Sequence, residues 1–242
     1  MTSETFRLLN VERFAAPLRQ RVEAVLRDAI VAGTLAQGRR LTERELVQMT
    51  GTSRTLVREA LRRLEAERLI TVTPNKGAVV RELTLDEARE IYAVRAVLEG
   101  LAAREFVRAA GDASMQRLRE AAESAIRAYE ADALTRAFEW HNRFYDVLFE
   151  GAANETLRSI LGSLHTRILR WRALGLTHRG RSPARSKEAA RGLKAILTAI
   201  RARDAEKAER AARDQVERGA AELMRVLGAA GAQAAPRARR RA

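Results

Sequence analysis

Residues Leu41–Leu64 read LTERELVQMTGTSRTLVREALRRL, and two helix starts are written into this stretch. Thr42 is followed three residues later by Glu45, the capping-box pattern in which a hydroxyl and a carboxylate satisfy the free amides of a first helical turn. The helix so opened carries Leu46 and Met49 inward and stops at Gly51, a residue able to take the left-handed conformation that ends helices. Ser53 caps a second helix, Arg54 to about Glu67, with Val57, Ala60, Leu61 and Leu64 on one face.

Working outward, residues 18–32 place Leu18, Val22, Val25, Leu26 and Ile30 at helical spacing before Gly33 ends the run. On the other side, Leu69–Thr73 and Ala78–Val80 flank the turn residues Pro74-Asn75-Lys76-Gly77, the pattern of a small hairpin. The order is three helices and then a wing. Two capped helices around a tight turn describe a helix-turn-helix, whose second helix enters the major groove with its N-terminal residues facing base edges. Those residues are Arg54, Thr55 and Arg58; arginine reaches guanine O6 and N7 bidentately, and threonine bonds a base or a phosphate. Arg44, at the start of the preceding helix, belongs where the DNA backbone passes. Lys76 and Gly77 sit at the wing tip, a cation beside a slim neighbour. The competing reading is that the arginines merely solvate a helix face.

A second capping box, Thr84-Leu85-Asp86-Glu87, opens a different regime. To about Leu227 there are only amphipathic helices, near 85–110, 113–131, 132–150, 155–174, 185–202 and 204–227, joined by short breaks. The fold class is therefore mainly α: a winged helix-turn-helix followed by an antiparallel helical bundle. The domains expected are an N-terminal arm (1–17), a DNA-binding unit (18–81), a helical unit (84–228) and a structureless basic tail (229–242).

Composition narrows the class further. The 242 residues include 45 Lys plus Arg against 31 Asp plus Glu, a formal net charge of +14, and no cysteine. Without cysteine there is no disulfide framework, thiolate metal site or cysteine nucleophile, and the usage fits a reducing compartment. The longest stretch without charge, Val226–Pro236, has 11 residues; a membrane span needs roughly 18 apolar ones. Residues 1–20 lack the apolar core of a signal peptide, so a cytoplasmic protein without a membrane partner is expected. Residues 18–81 carry 13 cations against 7 anions, while 82–228 carry 26 against 22. Positive charge is thus densest where the helix-turn-helix lies, which favours a polyanionic partner. Three scattered histidines, no phosphate-cradling glycine loop and no paired carboxylates on one face argue against an enzyme.

The stretch LRDAIVAGTLAQGRRLTERELVQMTGTSRTLVREALRRLEAERLITVTPNKGAVV closely resembles the winged helix-turn-helix of GntR-family transcriptional regulators, including the core Ser53, Arg54, Thr55, Val57, Arg58, Glu59, Ala60 and Leu61. Leu56 stands where many members have proline, a residue tolerated rather than required so early in a helix. EIYAVRAVLEGLAAREFVRAA, FYDVLFEGAANETL and AILTAIRARDAEKAERAARDQV make the helical part resemble the FCD effector-binding and dimerisation domain of the FadR-like branch. Many members of that branch hold a divalent metal through one Asp and three His. Laid on this chain, those positions carry His141, Tyr145, Leu193 and Gln215, so the resemblance implies no family-type metal and no other cofactor.

The periodicity points these substitutes inward independently of the resemblance. Leu134, Ala137, Phe138, His141, Phe144, Tyr145 and Leu148 form one helical stripe. Arg95 shares a face with Ile91 and Leu98, and Gln215 lines up with Ala208, Ala212, Gly219 and Leu223. Polar groups on apolar stripes need partners, and several converging in one bundle predict an effector cavity at Arg95, His141, Tyr145 and Gln215. A cationic Arg95 and a protonatable His141, with no acid in place of the lost Asp, would favour a small organic anion, a carboxylate. The alternative for Arg95 is an ion pair with Glu99, one turn on. The whole reads as a homodimeric repressor that binds a palindromic operator in double-stranded DNA and is released by its effector. The competing class is a sequence-indifferent architectural DNA-binding protein whose helical domain has lost its effector.

Overall fold

The computed structural model describes residues 15–73, 77–82, 84–177 and 180–234, which fall into two compact units that divide between Glu82 and Leu83. In the first unit, α1 (Ala15–Val31) leads to a two-residue strand β1 (Arg40–Leu41), then α2 (Glu43–Thr50) and α3 (Arg54–Ala66). The strands β2 (Ile70–Thr73) and β3 (Gly77–Val80) close the unit. Both caps read from the sequence form: Thr42 Oγ1 accepts from the Glu45 amide at 3.2 Å and Ser53 Oγ from the Leu56 amide at 3.3 Å. Gly51 ends α2 at φ +66°, its amide donating to the Val47 carbonyl at 2.9 Å, a conformation that costs a side-chain-bearing residue roughly 1 kcal/mol or more.

The wing is one strand larger than the sequence suggested. β3 pairs antiparallel with β2, Ile70 opposite Val80 and Thr73 opposite Gly77, and on its other edge with β1, Arg40 opposite Val79 and Leu41 opposite Ala78. The sheet order is β1-β3-β2. A two-residue strand has no periodicity to read, so only the pairing reveals it. Leu26, Leu35, Leu41, Leu46, Leu64 and Ile70 fill the core beneath the sheet and helices.

Among the described residues, the second unit holds six helices: α4 (Leu85–Ala109), α5 (Asp112–Glu130), α6 (Leu134–Gly151), α7 (Glu155–Thr177), α8 (Arg185–Arg201) and α9 (Ala205–Ala234). Thr84 Oγ1 caps α4 through the Glu87 amide at 3.1 Å. α9 packs along α4 and α8, α5 against α6 and α8, and α7 against α4 and α6. The main core gathers around Phe106, Leu118, Phe144, Leu148, Leu161 and Leu193. A smaller apolar cluster, with Ile91, Tyr92, Ile168, Trp171, Val216 and Leu223, lies apart from it.

The basic tail departs from expectation. Residues 229–234, read as structureless, continue α9 to Ala234. Alanine is the best helix former, so this run needs no apolar face to extend a helix already nucleated. The arginines beyond it, and the N-terminal arm before Ala15, lie outside the described residues. Among the described residues, no helix is long and apolar enough to cross a membrane.

Candidate functional site

Among the described residues, each unit offers a candidate site. On the first unit, α3 buries Val57, Ala60, Leu61 and Leu64 and thereby turns Arg54, Thr55 and Arg58 outward. Arg44, second residue of α2, is exposed as well. Arg44, Arg54 and Thr55 make no side-chain hydrogen bond or ion pair with another described residue and are available to a partner. Arg58 differs: its Nε donates to Glu43 Oε1 at 2.6 Å across the α2–α3 turn. That bond, with Arg58 and Arg54 both charged nearby, holds the Glu43 carboxyl below the usual range. Gly77 begins β3 at φ +79°, a region favourable to glycine alone. Lys76 lies outside the described residues.

In the helical unit, the four residues singled out from the sequence meet. Arg95 on α4, His141 and Tyr145 on α6 and Gln215 on α9 line one cavity of about 60 Å³, at the junction of the two apolar clusters. Tyr92, Tyr129, Trp171, Arg172, Arg185 and Glu222 also line it, with apolar cover from Val216 and Leu223. Five polar atoms on that wall lack a hydrogen-bond partner among the described residues: Arg95 Nη1, Arg185 Nη1, His141 Nε2, Trp171 Nε1 and Gln215 Oε1. An unmet buried polar group costs about 1–3 kcal/mol, so five around one void mark a place built for polar contents.

Charge is distributed differently from the sequence expectation. Arg95 does pair with Glu99, which accepts from its Nε at 2.8 Å and lies 2.5 Å from its Nη2 in an ion pair, with both side chains buried. Burial alone would raise the Glu99 pKa, yet Arg95 and His165 more than reverse that and hold it at about 2. The same Oε1 lies 2.6 Å from His165 Nε2, while Arg172 Nη1 lies 3.4 Å from His165 Nδ1. One tautomer satisfies two of the three contacts at this ring: Arg172 donates to Nδ1, and neutral His165 donates from Nε2 to Glu99, so Arg95 Nη2, 3.2 Å from Nε2, makes no bond to the ring and pairs with Glu99 instead. Burial, then Arg95, lowers His165 to about 4 and keeps it neutral.

His141 is neutral too, contrary to its expected role as a cation. Burial lowers its pKa well below the usual value, and Arg172 and Arg185 push it the same way. Its Nδ1 is 2.7 Å from the Tyr129 hydroxyl, and its ring stacks on Tyr145 with centroids 5.1 Å apart. Since Glu99 balances Arg95, the positive excess comes from Arg172 and Arg185. Arg172 lies over the Tyr145 and Phe138 rings. Glu222, also on the wall, accepts from the Ser182 amide at 2.7 Å and Arg225 Nε at 2.8 Å, and these bonds, with the charges of Arg225 and Arg185, hold its carboxyl below the usual range.

The donors at the family's ligand positions are an imidazole, a phenol whose pKa burial raises well above its usual value, and an amide oxygen, a set without the carboxylate and the further imidazoles that a divalent site wants. Leu193, matched to the third ligand position, is buried in the aliphatic core and off the cavity wall. The α8 residues beside Gln215 are Ala189, whose carbonyl accepts from Gln215 Nε2 at 3.4 Å, and Gly192. A Cβ on Gly192 would sit 1.7 Å from Gln215 Oε1, so the glycine makes the slot in which this amide lies. Among the described residues, no three His, Cys, Asp or Glu gather as a metal site.

Sequence reasoning missed Arg172 and Arg185, which are two of many arginines in this chain and gave no periodic signal. Tyr129 was legible in principle: it follows Leu118, Ala122 and Ala125 on the buried stripe of α5.

A DNA-reading head joined to a helical unit with a polar cavity defines a class, the ligand-sensing transcription regulators, and the comparisons agree. The family model for bacterial regulatory proteins of the gntR family matches residues 18–80, and that for the FCD domain matches residues 90–218. The chain belongs to the GntR family and carries an FCD effector domain; it is a DNA-binding transcription regulator, not an enzyme. It is 32% identical over 183 residues to the HTH-type transcriptional regulator BphR of Paraburkholderia xenovorans, covering 71% of this chain and 73% of that one. It is likewise 32% identical to the Nta operon transcriptional regulator of Aminobacter aminovorans, over 58% and 69% of the two chains. Among solved structures, E. coli McbR/YncC superposes with a TM-score of 0.73 at 25% identity, covering 86% of this chain and 97% of that one.

Proposed function

We propose that this regulator is a homodimeric repressor whose two winged heads read a palindromic operator, and which a small organic anion, a carboxylate, releases from DNA. The carrying observation is the cavity of about 60 Å³ with its unmet arginine, indole and amide atoms and its two further arginines, Arg172 and Arg185, neither of which makes a direct ion pair with a described residue. So small a void suits a compact ligand of few heavy atoms, held by charge-assisted bonds from Arg172 and Arg185. Arg95, His141, Tyr145 and Gln215 orient it, and no divalent ion takes part. Gln215 bonds it through its amide, and His141 bonds as the neutral imidazole. In the head, Arg54, Thr55 and Arg58 read bases, Arg44 holds a phosphate, and Lys76 with Gly77 meets the backbone or minor groove. Effector binding acts by favouring one placement of the two heads, since a ligand that binds both states equally shifts nothing. The unmet polar atoms weigh against an architectural protein with a vacated sensor.

The test is a thermal-shift screen of two- to five-carbon carboxylates against the full chain, each hit followed by duplex release in fluorescence anisotropy. The expected result is at least one acid that stabilises the wild type, releases DNA and loses both effects in Arg185→Met. Hits that work equally on Arg185→Met, or no hit at all, would overturn the anion cavity. Elastic light scattering at micromolar concentration checks the dimer, and a monomer mass would end the palindrome model.

A further inference from the structure

We infer that Glu43 is a specificity-determining residue of the DNA-reading head, a carboxylate that positions Arg58 for base recognition without touching DNA itself. The inference rests on reading α3 as the recognition helix. Arg58 is exposed at 61% of its side chain, so nothing in the packing of α3 fixes its guanidinium. A free arginine side chain carries rotamer entropy that a base contact would have to overcome. Glu43, in the first turn of α2, accepts from Arg58 Nε at 2.6 Å and supplies the missing constraint.

The atom chosen matters. Guanidinium offers five donors in a fixed plane. With Nε directed back into the protein, the far edge, Nη1 and Nη2, points away from Glu43. That edge is one of the two that match guanine O6 and N7 bidentately. Glu43 is itself held in place: it follows the cap Thr42, whose own chain is pinned by the β1–β3 pairing of Leu41 with Ala78. Glu43 and Arg58 both line the groove between α3 and the wing, together with Arg40, Arg62 and Gly77.

A negative charge here has a second effect. Every phosphate that passes the groove is repelled by Glu43, which weakens sequence-independent binding. Positioning and repulsion act together on the ratio of specific to non-specific affinity, as specificity that uses both attraction and exclusion does. Arg44 and Arg54 lack such a partner among the described residues, so Arg58 is the arginine whose readout this carboxylate governs.

The probe is the duplex that the wild-type full chain selects from a randomised 30-base-pair library, compared with its single-base variants and with an unselected random duplex at one fixed salt concentration. Glu43→Gln is expected to bind random duplex about 2- to 5-fold more tightly, having lost one repulsive charge. It should also lose about 5- to 20-fold of discrimination at one symmetric position of each half-site, that read by Arg58, while the other positions keep theirs. Glu43→Asp, one methylene shorter but still charged, recovers the random-duplex affinity of wild type. In an Arg58→Ala background, Glu43→Gln should no longer change discrimination, because the two residues act as a unit. A merely structural role would weaken all positions alike. An unchanged discrimination ratio in Glu43→Gln, or the same effect of Glu43→Gln with and without Arg58, would overturn the inference.

Discussion

Glu99→Gln isolates the charge that balances the sensor cavity. The substitution is nearly isosteric and keeps the oxygen that accepts from Arg95 and His165, so packing and hydrogen bonding survive while the charge goes. Arg95 and Glu99 have only 3% and 0% of their side chains exposed, and solvent screens them little. With charge centres about 4 Å apart and an effective dielectric constant of about 20, their attraction is about 4 kcal/mol. Removing one partner of a buried pair costs about 3–5 kcal/mol in proteins generally, which agrees. For a unit of this size 1 kcal/mol moves the melting temperature by about 2–4 °C, so a drop of about 8–16 °C is expected. Both tryptophans, Trp140 and Trp171, belong to the helical unit, so tryptophan fluorescence follows its melting without contribution from the DNA-binding head. The double variant Glu99→Gln/Arg95→Met, in which neither charge is buried, should recover much of the loss. A drop of under 2 °C in Glu99→Gln, or a double variant no better than the single, would refute the idea that the pair acts through its charge.

Two more outcomes follow from the same cavity. His165 titrates at about 4 in the fold against about 6.5 in an unfolded chain, and His141 is shifted in the same direction. A lowered histidine pKa means that the unfolded chain binds more protons, so stability is full above pH 6.5 and falls as pH drops from there towards 4. His165 alone contributes about 3 kcal/mol to that fall. Fluorescence melts at pH 7.5 and 5.0 check it, with a shallower dependence expected in His165→Gln; a flat profile in the wild type would contradict the neutral pair. Gly192→Ala should leave stability within about 1 kcal/mol of wild type, since alanine's gain in helix propensity offsets the loss of one weak hydrogen bond. Its Cβ nonetheless drives the Gln215 amide into the void, so any carboxylate that stabilises the wild type should no longer do so; retained stabilisation would show that Gln215 does not face the ligand.

How much of this was legible depends on what kind of signal each feature left. Caps write themselves into short range, and Thr42, Ser53 and Thr84 each marked a helix start that the structure places at the next residue. Inward polar residues on apolar stripes were equally clear, which is why Arg95, His141, Tyr145 and Gln215 could be brought together before any coordinates. The protonation of His141 was only half legible: its inward stripe gave the burial that chiefly lowers its pKa, but the arginines that push it the same way reach it from α7 and α8, far off in the chain. The partner of Arg58 was hidden for a related reason: 15 residues separate it from Glu43, and only the angle of the α2–α3 turn brings them into contact. β1 and the last turns of α9 were missed for opposite reasons, one too short to show a period and the other too uniform to need one.

The two-residue strand has a reach beyond its length. Arg40 and Leu41 hold the start of α2 to β3, so the segment that launches the helix-turn-helix and the strand that returns from the wing share one hinge-free joint. A duplex that forced the wing away from the helix-turn-helix would first have to break this pairing, so the short strand acts as a latch on the spacing of the head's two edges.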